Sequence, residues 1–297
     1  MGSNALLWNP LAKNDRLLVY YHTAKGHLGI QQWGPDGEGW SKVWEEIPQT
    51  PKGSVKVGTG LTALRYHDWI SVYGIVTPQD SGADKNIGNI SLLSPVPQSL
   101  PIQTQYSCLT GIDNGKGEGW LYYLKNDPPV IFERTLNNAS DNEIAKGLAL
   151  LQDKDKSALT SLASLYSPKL KKRFVFVQLD GGVINALDVK DSKPHPVTSE
   201  AKHGTTMAAT SFTYNDKEVL VLYTIHESDG YLARSISTDG GVNWQLKTLN
   251  GAGTPTLATL SAASNSRTES IAVVFSVSDT REFQVYTDDW TDIVAKS

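Results

Sequence analysis

The chain has 297 residues, enough for one large domain or two ordinary ones and enough to bury a sizeable core without disulfide staples. A hydrophobic share of 39% and a charged share of 20% are globular values, and a formal net charge of -4 argues against nucleic acid as a partner, which would need a basic face. Cys108 is the single cysteine, which excludes an internal disulfide and a Cys-based metal site, and no apolar stretch approaches the ~18 residues a membrane-spanning helix requires.

Along the chain, the first repeat opens on Ala5-Leu6, carries an apolar, aromatic run at 17–21, turns at Lys25-Gly26 and continues at 28–33. Short β-branched and aromatic runs bounded by polar turns are strand signals. The second repeat opens on Gly60-Leu61-Thr62, with strand signals at 70–76 and 90–93 and a long turn over 77–88 between them. Cys108-Leu109-Thr110 starts the third, with strands expected at 120–124 and 130–135. Residues 142–151 then show the one helical period, and a surface helix is expected there.

Ala158-Leu159-Thr160 opens the fourth repeat, with strands at 174–177 and 183–189, a turn at Asp180-Gly181-Gly182 and a long turn over 191–204. The fifth opens on Thr206-Met207-Ala208, with strands at 219–225 and 231–237 around Asp229-Gly230. Thr256-Leu257-Ala258 opens the sixth, with strands at 271–277 and 283–286. The anchors at 6, 61, 109, 159, 207 and 257 recur at roughly fifty residues, a propeller period. An all-β, six-bladed β-propeller over residues 1–297, as a single domain, is therefore expected. The last repeat is short, and the N-terminal segment is expected to supply its missing outer strand and remove an exposed edge.

Two resemblances support this fold. Ser237-Thr238-Asp239-Gly240-Gly241-Val242-Asn243-Trp244 resembles the Asp-box of sialidase-like propellers, whose role is structural. The stretch Thr206-Met207-Ala208-Ala209-Thr210-Ser211-Phe212, with 219–223, 231–236 and Trp244, resembles the fungal fucose-specific lectins, as do Leu18-Val19-Tyr20-Tyr21-His22 and 33–40. The lectin resemblance implies a sugar site between blades: an arginine before the second-strand aromatic, an acid or amide on the third strand, and a stacking aromatic. Here the arginine position holds Leu18, Ser71, Trp120 or Leu121, Phe174, Val221 and Ala272. The third-strand position holds Ile30, Leu92, Glu133, Asn185, Ala233 and Val285, so Glu133 alone keeps the acid. Losing charged hydrogen bonds worth about 1.5–3 kcal/mol each makes repeated fucose binding doubtful.

None of the six histidines stands in a metal-ligand spacing, no serine-nucleophile elbow occurs, and neither metal nor cofactor is expected. A sialidase would need Arg65, Arg134, Arg234, Arg267 and Arg281 to converge. Apolar replacements at the sugar positions suit a hydrophobic small molecule. In this the chain looks like the fungal hetero-Diels–Alderases of tropolone-sesquiterpenoid pathways, which are six-bladed propellers. That resemblance implies a cofactor-free pericyclase: a hydroxymethyl tropolone loses water to a quinone methide, and a humulene-type alkene adds across it.

If the working face carries the turns after second strands and before first strands, Arg281 would stabilise the tropolone oxygen, and His22, His203 or His226 would move the proton. Lys125 and Tyr106 would contact substrate, with Trp8, placed at the start of a first strand, as a pocket wall. The alternative is a fucose-lectin-like glycan-binding protein with degenerate sugar sites, so the expected partner is an apolar small molecule or a glycan. Self-association into a homo-oligomer stays open. Met1-Gly2-Ser3 reads as an artificial start, and the sequons Asn89-Ile90-Ser91 and Asn138-Ala139-Ser140 leave the secretory pathway open.

Overall fold

A computed structural model of the chain describes residues 4–9, 16–34, 39–46, 54–78, 86–152, 160–277 and 283–294. Six antiparallel sheets follow one another in chain order. The first holds β1 (Asn4–Trp8), β2 (Leu17–His22), β3 (Leu28–Gly34), β4 (Gly39–Trp40) and β5 (Trp44–Glu46), the last two both pairing with β3. The second is β6 (Leu61–Tyr66), β7 (Trp69–Val76), β8 (Gly88–Ser94) and β9 (Gln98–Thr104). The third is β10 (Leu109–Asp113), β11 (Gly119–Lys125), β12 (Val130–Thr135) and β13 (Ser140–Ile144).

The fourth sheet is β14 (Leu162–Ser167), β15 (Lys172–Gln178), β16 (Ile184–Asp188) and β17 (Pro194–Thr198). The fifth is β18 (Ala208–Tyr214), β19 (Lys217–Ile225), β20 (Leu232–Ser237) and β21 (Gln245–Thr248). The sixth is β22 (Pro255–Asn265), β23 (Ser270–Val277) and β24 (Phe283–Asp289), followed by the short helix α1 (Trp290–Val294). The first three sheets make up most of one compact unit, Met1–Pro128 with Phe132–Asn142. The last three lie in a second unit, Pro129–Ile131 with Glu143–Ser297.

The second strand of each sheet has an apolar middle because both of its faces are covered there, and β11, β15 and β19 are buried over most of their length. Alternation splits the two faces. In β19, Val221 and Tyr223 pack with Val273 and Phe275 of the sixth sheet, while Leu220 and Leu222 pack with Ala163 and Phe176 of the fourth. In the first unit, Leu18 and Tyr20 meet Val72 and Leu93, and Tyr73 and Ile75 meet Leu109 and Leu121. Fourth strands such as β13 and β21 are largely exposed, as edge strands are.

Polar links stitch neighbouring sheets together. Ser211 Oγ donates to the Tyr166 carbonyl at 2.9 Å and Ser264 Oγ to the Ser211 carbonyl at 2.8 Å. Between the fifth and sixth sheets, Asp288 is gripped by Arg234 Nη1 at 2.5 Å and accepts from Tyr223 Oη at 2.7 Å, with Arg234 and Asp288 each 2% exposed. Segments ahead of a sheet also pin that sheet's second strand, through bridges Val55↔Val76, Leu150↔Leu179 and Ala201↔His226. Gly60 is required at one such junction, since a Cβ there would stand 2.4 Å from the Leu109 amide nitrogen.

The Asp-box folds as expected. Asp239 Oδ1 accepts from the Val242 and Asn243 amides, Gly240 and Gly241 take φ of 81° and 88°, and Trp244 packs edge-on to Phe176 while donating to the Gly241 carbonyl.

Three expectations are corrected. Residues 142–151 form no helix: β13 runs into a turn where Ala145 and Gly147 take φ of 54° and 81°, which an α-helix does not admit. The long turn over 191–204 contains β17, whose Pro194–Thr198 run pairs with β16. Strand β1 is the first strand of its own sheet, paired with β2, and the sixth sheet has three strands among the described residues. Of the turn over 77–88, residues 79–85 lie outside the described residues.

Candidate functional site

Each sheet has one end where first strands begin and second strands finish: Asn4 pairs with Tyr21, Leu109 with Tyr123 and Ala208 with Tyr223. His22 and Lys125 are the last residues of β2 and β11, and His226 follows β19 directly. Tyr106 and His203 lie just ahead of β10 and β18. Trp8 is different. It ends β1, paired with Leu17, so it stands at the opposite end of the first sheet from His22, about 17 Å of strand away, and does not wall a pocket there. Arg281 lies outside the described residues.

In the first unit, His22 shares the β2 face of Leu18 and Tyr20 and is 8% exposed. Neither ring nitrogen has a hydrogen-bond partner among the described residues. Burial alone drives its pKa from 6.5 down to about 4, so the imidazole is neutral at pH 7. Tyr106 Oη donates to the Asn126 carbonyl at 2.7 Å and accepts from Gln105 Nε2 at 3.0 Å, which ties it to the turn after Lys125. The Lys125 ammonium sits 5.7 Å from the Phe132 ring centroid. Tyr106 and Lys125 thus adjoin one another on the third sheet, while His22 stands apart on the first.

In the second unit the structure brings His203 and His226 together. Ala201 bridges to His226, which lays the segment before β18 along the turn after β19. The His203 amide donates to Glu227 Oε2 at 3.1 Å, and the Glu227 amide donates to the Glu200 carbonyl at 2.8 Å. His226 Nε2 lies 3.2 Å from Glu200 Oε2, and its Nδ1 lies 3.0 Å from Asp229 Oδ1. A ring with a carboxylate at each nitrogen donates to both only as imidazolium. Burial opposes that charge, but the hydrogen bonds and charges of Glu200 and Asp229 outweigh it and raise the His226 pKa. Gln178 closes the fourth-sheet side: its amide donates to the Gly182 and Lys202 carbonyls and its Oε1 accepts from the Gly204 amide. The His203 ring lies over Gly182, where a Cβ would meet Nε2 at 2.6 Å. The result is a polar cluster between the fourth and fifth sheets, where apolar replacements were expected.

Glu200, Glu227, Asp229 and Gln178 were not legible as a site from sequence. Asp229-Gly230 reads only as a turn, and the two glutamates belong to different repeats. Their meeting depends on the Ala201↔His226 bridge, a non-local pairing.

The positions to which the lectin resemblance assigns sugar contact lie in the core. Leu18, Ser71, Trp120, Leu121, Phe174, Val221 and Ala272 are all buried. Glu133, 4% exposed, accepts from Tyr122 Oη at 2.8 Å. The arginines are held separately, Arg65 by Asp68, Arg134 by Asp141 and Arg234 by Asp288. Among the described residues, no group of three or more His, Cys, Asp or Glu is disposed to hold a metal ion. Cys108 is buried, which pushes its thiol up to about 12, far from a thiolate nucleophile. Of the two sequons, Asn89 is 5% exposed within β8, whereas Asn138 is exposed on a turn.

No protein-family model matches the chain, and no curated protein matches it. Solved structures do. AofleA from Arthrobotrys oligospora superposes with a TM-score of 0.64 at 12% identity, covering 97% of this chain and 86% of that one. The Aleuria aurantia lectin, a six-bladed β-propeller with a fucose recognition mode, gives 0.59 at 12% identity over 97% and 95%. The lectin SapL1, solved with α-methyl fucoside, gives 0.57 at 15% identity over 97% and 95%. The fold of this chain is that of the six-bladed β-propellers, and it is all-β but for α1 among the described residues.

Proposed function

We propose that the chain is a glycan-binding protein of lectin type, with residues 1–297 working as a single domain and the polar cluster of His203, Glu227, His226, Glu200 and Asp229 as its sugar contact. The carrying observation is the polar lining on a fold shared with sugar-binding lectins. Beside the two His226–carboxylate pairs, the carboxylates of Glu200, Glu227 and Asp229 offer charged acceptors to vicinal hydroxyls, the chemistry a saturated, hydroxyl-rich ligand needs. An apolar polyketide or terpene would take those charges out of water without offering them a hydrogen bond. Fucose specificity of the related kind is not expected, because the arginine positions are packed into the core.

A glycan array followed by titration calorimetry on the best oligosaccharide tests this. Glu200→Gln and His226→Gln should each weaken binding about tenfold, the loss of one charged hydrogen bond. A wild-type protein that binds nothing on the array overturns the proposal.

One observation favours a second reading, the cofactor-free hetero-Diels–Alderase. His22 is a neutral imidazole in an apolar setting whose nitrogens lack partners among the described residues, the state a proton-accepting base requires. On this reading Arg281 would stabilise the tropolone oxygen, and Tyr106 and Lys125 would contact substrate. Incubation of a hydroxymethyl tropolone with humulene should then give an adduct that His22→Ala abolishes; no adduct with wild type refutes it.

A further inference from the structure

At the end where its second strand begins, the fourth sheet closes in two neighbouring turns rich in cations. The β14–β15 turn and the first residues of β15 carry Lys169, Lys171, Lys172 and Arg173, and the β16–β17 turn carries Lys190 and Lys193. Backbone bonding holds the two turns side by side, since the Val189 amide donates to the Arg173 carbonyl at 3.0 Å. Against these six cations stand two carboxylates, Asp191 and the buried Asp188, which pairs with Lys172 at 2.7 Å. That is a local excess of four positive charges on a chain whose net charge is -4. Lys169, Lys171, Lys190 and Lys193 are exposed. The adjoining β18–β19 turn adds Lys217 and Asp216, which cancel. Of the remaining acids here, Glu218 is buried and accepts from Ser167 Oγ at 2.5 Å, and Asp239 is held by the Val242 and Asn243 amides. With both counted, this end stays positive.

Two apolar side chains stand out of this basic rim. Leu170, between Lys169 and Lys171, is 40% exposed, and Val242, in the Asp-box turn of the fifth sheet, is 57% exposed. Both belong to one rim. A Cβ on Gly240 would lie 3.3 Å from Leu170 Cδ1 and one on Gly241 3.1 Å from Phe174 Cε1, so the Asp-box rests against the β14–β15 hairpin. The hairpin itself is anchored: the Leu170 amide donates to Ser167 Oγ at 3.2 Å, and the Lys169 ammonium donates to the Asp216 carbonyl. A single exposed leucine or valine is ordinary. Set among lysines at turn tips, the pair has the make-up of a surface that rests on lipid headgroups, with ammonium groups at the phosphate level and apolar tips reaching the acyl boundary. The opposite end of these sheets, about 20 Å of strand away, carries Asp180, Glu200, Glu227 and Asp229 against Lys202, so a negative surface would attract one end and repel the other. A nucleic acid fits less well, because its phosphates are tracked by a basic groove and not by turn tips with apolar points. Two side chains also fall far short of the roughly 800 Å² per partner of a stable protein interface.

We infer that this end of the fourth and fifth sheets docks on an anionic lipid bilayer, with Lys169, Lys171, Lys190 and Lys193 at the headgroups and Leu170 and Val242 at the acyl boundary. The inference does not rest on the glycan-binding proposal, and docking this way turns the His226 cluster away from the bilayer. Flotation of the full chain with phosphatidylcholine vesicles, with and without about 30% phosphatidylserine, tests it. The chain should bind the anionic vesicles in about 0.1 M salt, bind pure phosphatidylcholine at least tenfold more weakly, and come off in about 0.5 M salt. Lys169→Gln combined with Lys171→Gln should weaken binding at least tenfold. Leu170→Ser combined with Val242→Ser, which leaves the charge alone, should weaken it about fivefold. Lys202→Gln, the same charge change at the other end, should leave binding unchanged. Every altered side chain is exposed, so circular dichroism should show the wild-type fold in each variant. No flotation with anionic vesicles overturns the inference, and so does an equal loss in Lys202→Gln. If the Leu170→Ser, Val242→Ser variant floats like wild type while heparin or duplex DNA displaces both from the vesicles, the partner is a soluble polyanion and the bilayer is refuted.

Discussion

Replacing His22 with leucine isolates the contribution of one buried titratable group. Folding lowers its pKa from 6.5 to about 4 by burial, and neither nitrogen is compensated by a hydrogen bond among the described residues. The unfolded chain therefore takes up a proton that the folded chain refuses. The penalty is absent above pH 6.5, grows as pH falls through the window from 6.5 to about 4, and is complete below it. At about 1.4 kcal/mol per pKa unit, the whole loss is roughly 3 kcal/mol, and with the residue 8% exposed little of it is screened by solvent. At neutral pH the leucine removes two unsatisfied polar atoms and keeps similar bulk, so His22→Leu should be as stable as wild type or more so. Urea unfolding followed by tryptophan fluorescence from pH 7.5 to 4 measures both. Wild type should lose about 3 kcal/mol relative to the variant across that range. Parallel pH profiles, or a variant much weaker at pH 7, would refute a neutral, unpartnered imidazole.

Arg234→Met should cost about 3–5 kcal/mol in the same assay, because it strands the buried Asp288 carboxylate. The double variant with Asp288→Asn should recover much of that loss, since the uncompensated charge is gone. His226 carries the opposite pH sign. Its folded pKa is raised, so its contribution is fully present below 6.5 and fades as pH rises through the folded value. An NMR titration of its ring should therefore give a pKa above 6.5, which Glu200→Gln lowers. Gly60→Ala should destabilise by about 1–3 kcal/mol in thermal unfolding, because the added methyl meets the Leu109 backbone, which has no rotamer to yield.

Much of the fold is readable residue by residue. The apolar runs at 70–76, 120–124 and 219–225 lie within β7, β11 and β19, since a strand covered on both faces has to be apolar along its length. The Asp-box was legible for a similar reason: Ser237, Asp239, Gly241 and Trp244 bond among themselves within eight residues. The 142–151 segment misled because its helical period is real, while Ala145 and Gly147 sit in a turn imposed by the neighbouring strands.

The candidate site was half visible. His203 and His226 could be nominated from their places beside strand ends. Glu200, Glu227 and Asp229 could not, because the Ala201↔His226 bridge that gathers them joins residues far apart in sequence. Likewise His22 and Trp8 look alike in sequence, a polar-edged ring at the end of an apolar run. Only the β1–β2 register puts them at opposite ends of one sheet, and only tertiary packing buries His22. The amino-acid order by itself thus determined the repeat, the strands and the local turns, whose forces act within a few residues. Which polar groups meet, and which are sealed from water, was decided by tertiary structure, because hydrogen-bond geometry and desolvation depend on neighbours that chain order does not bring together.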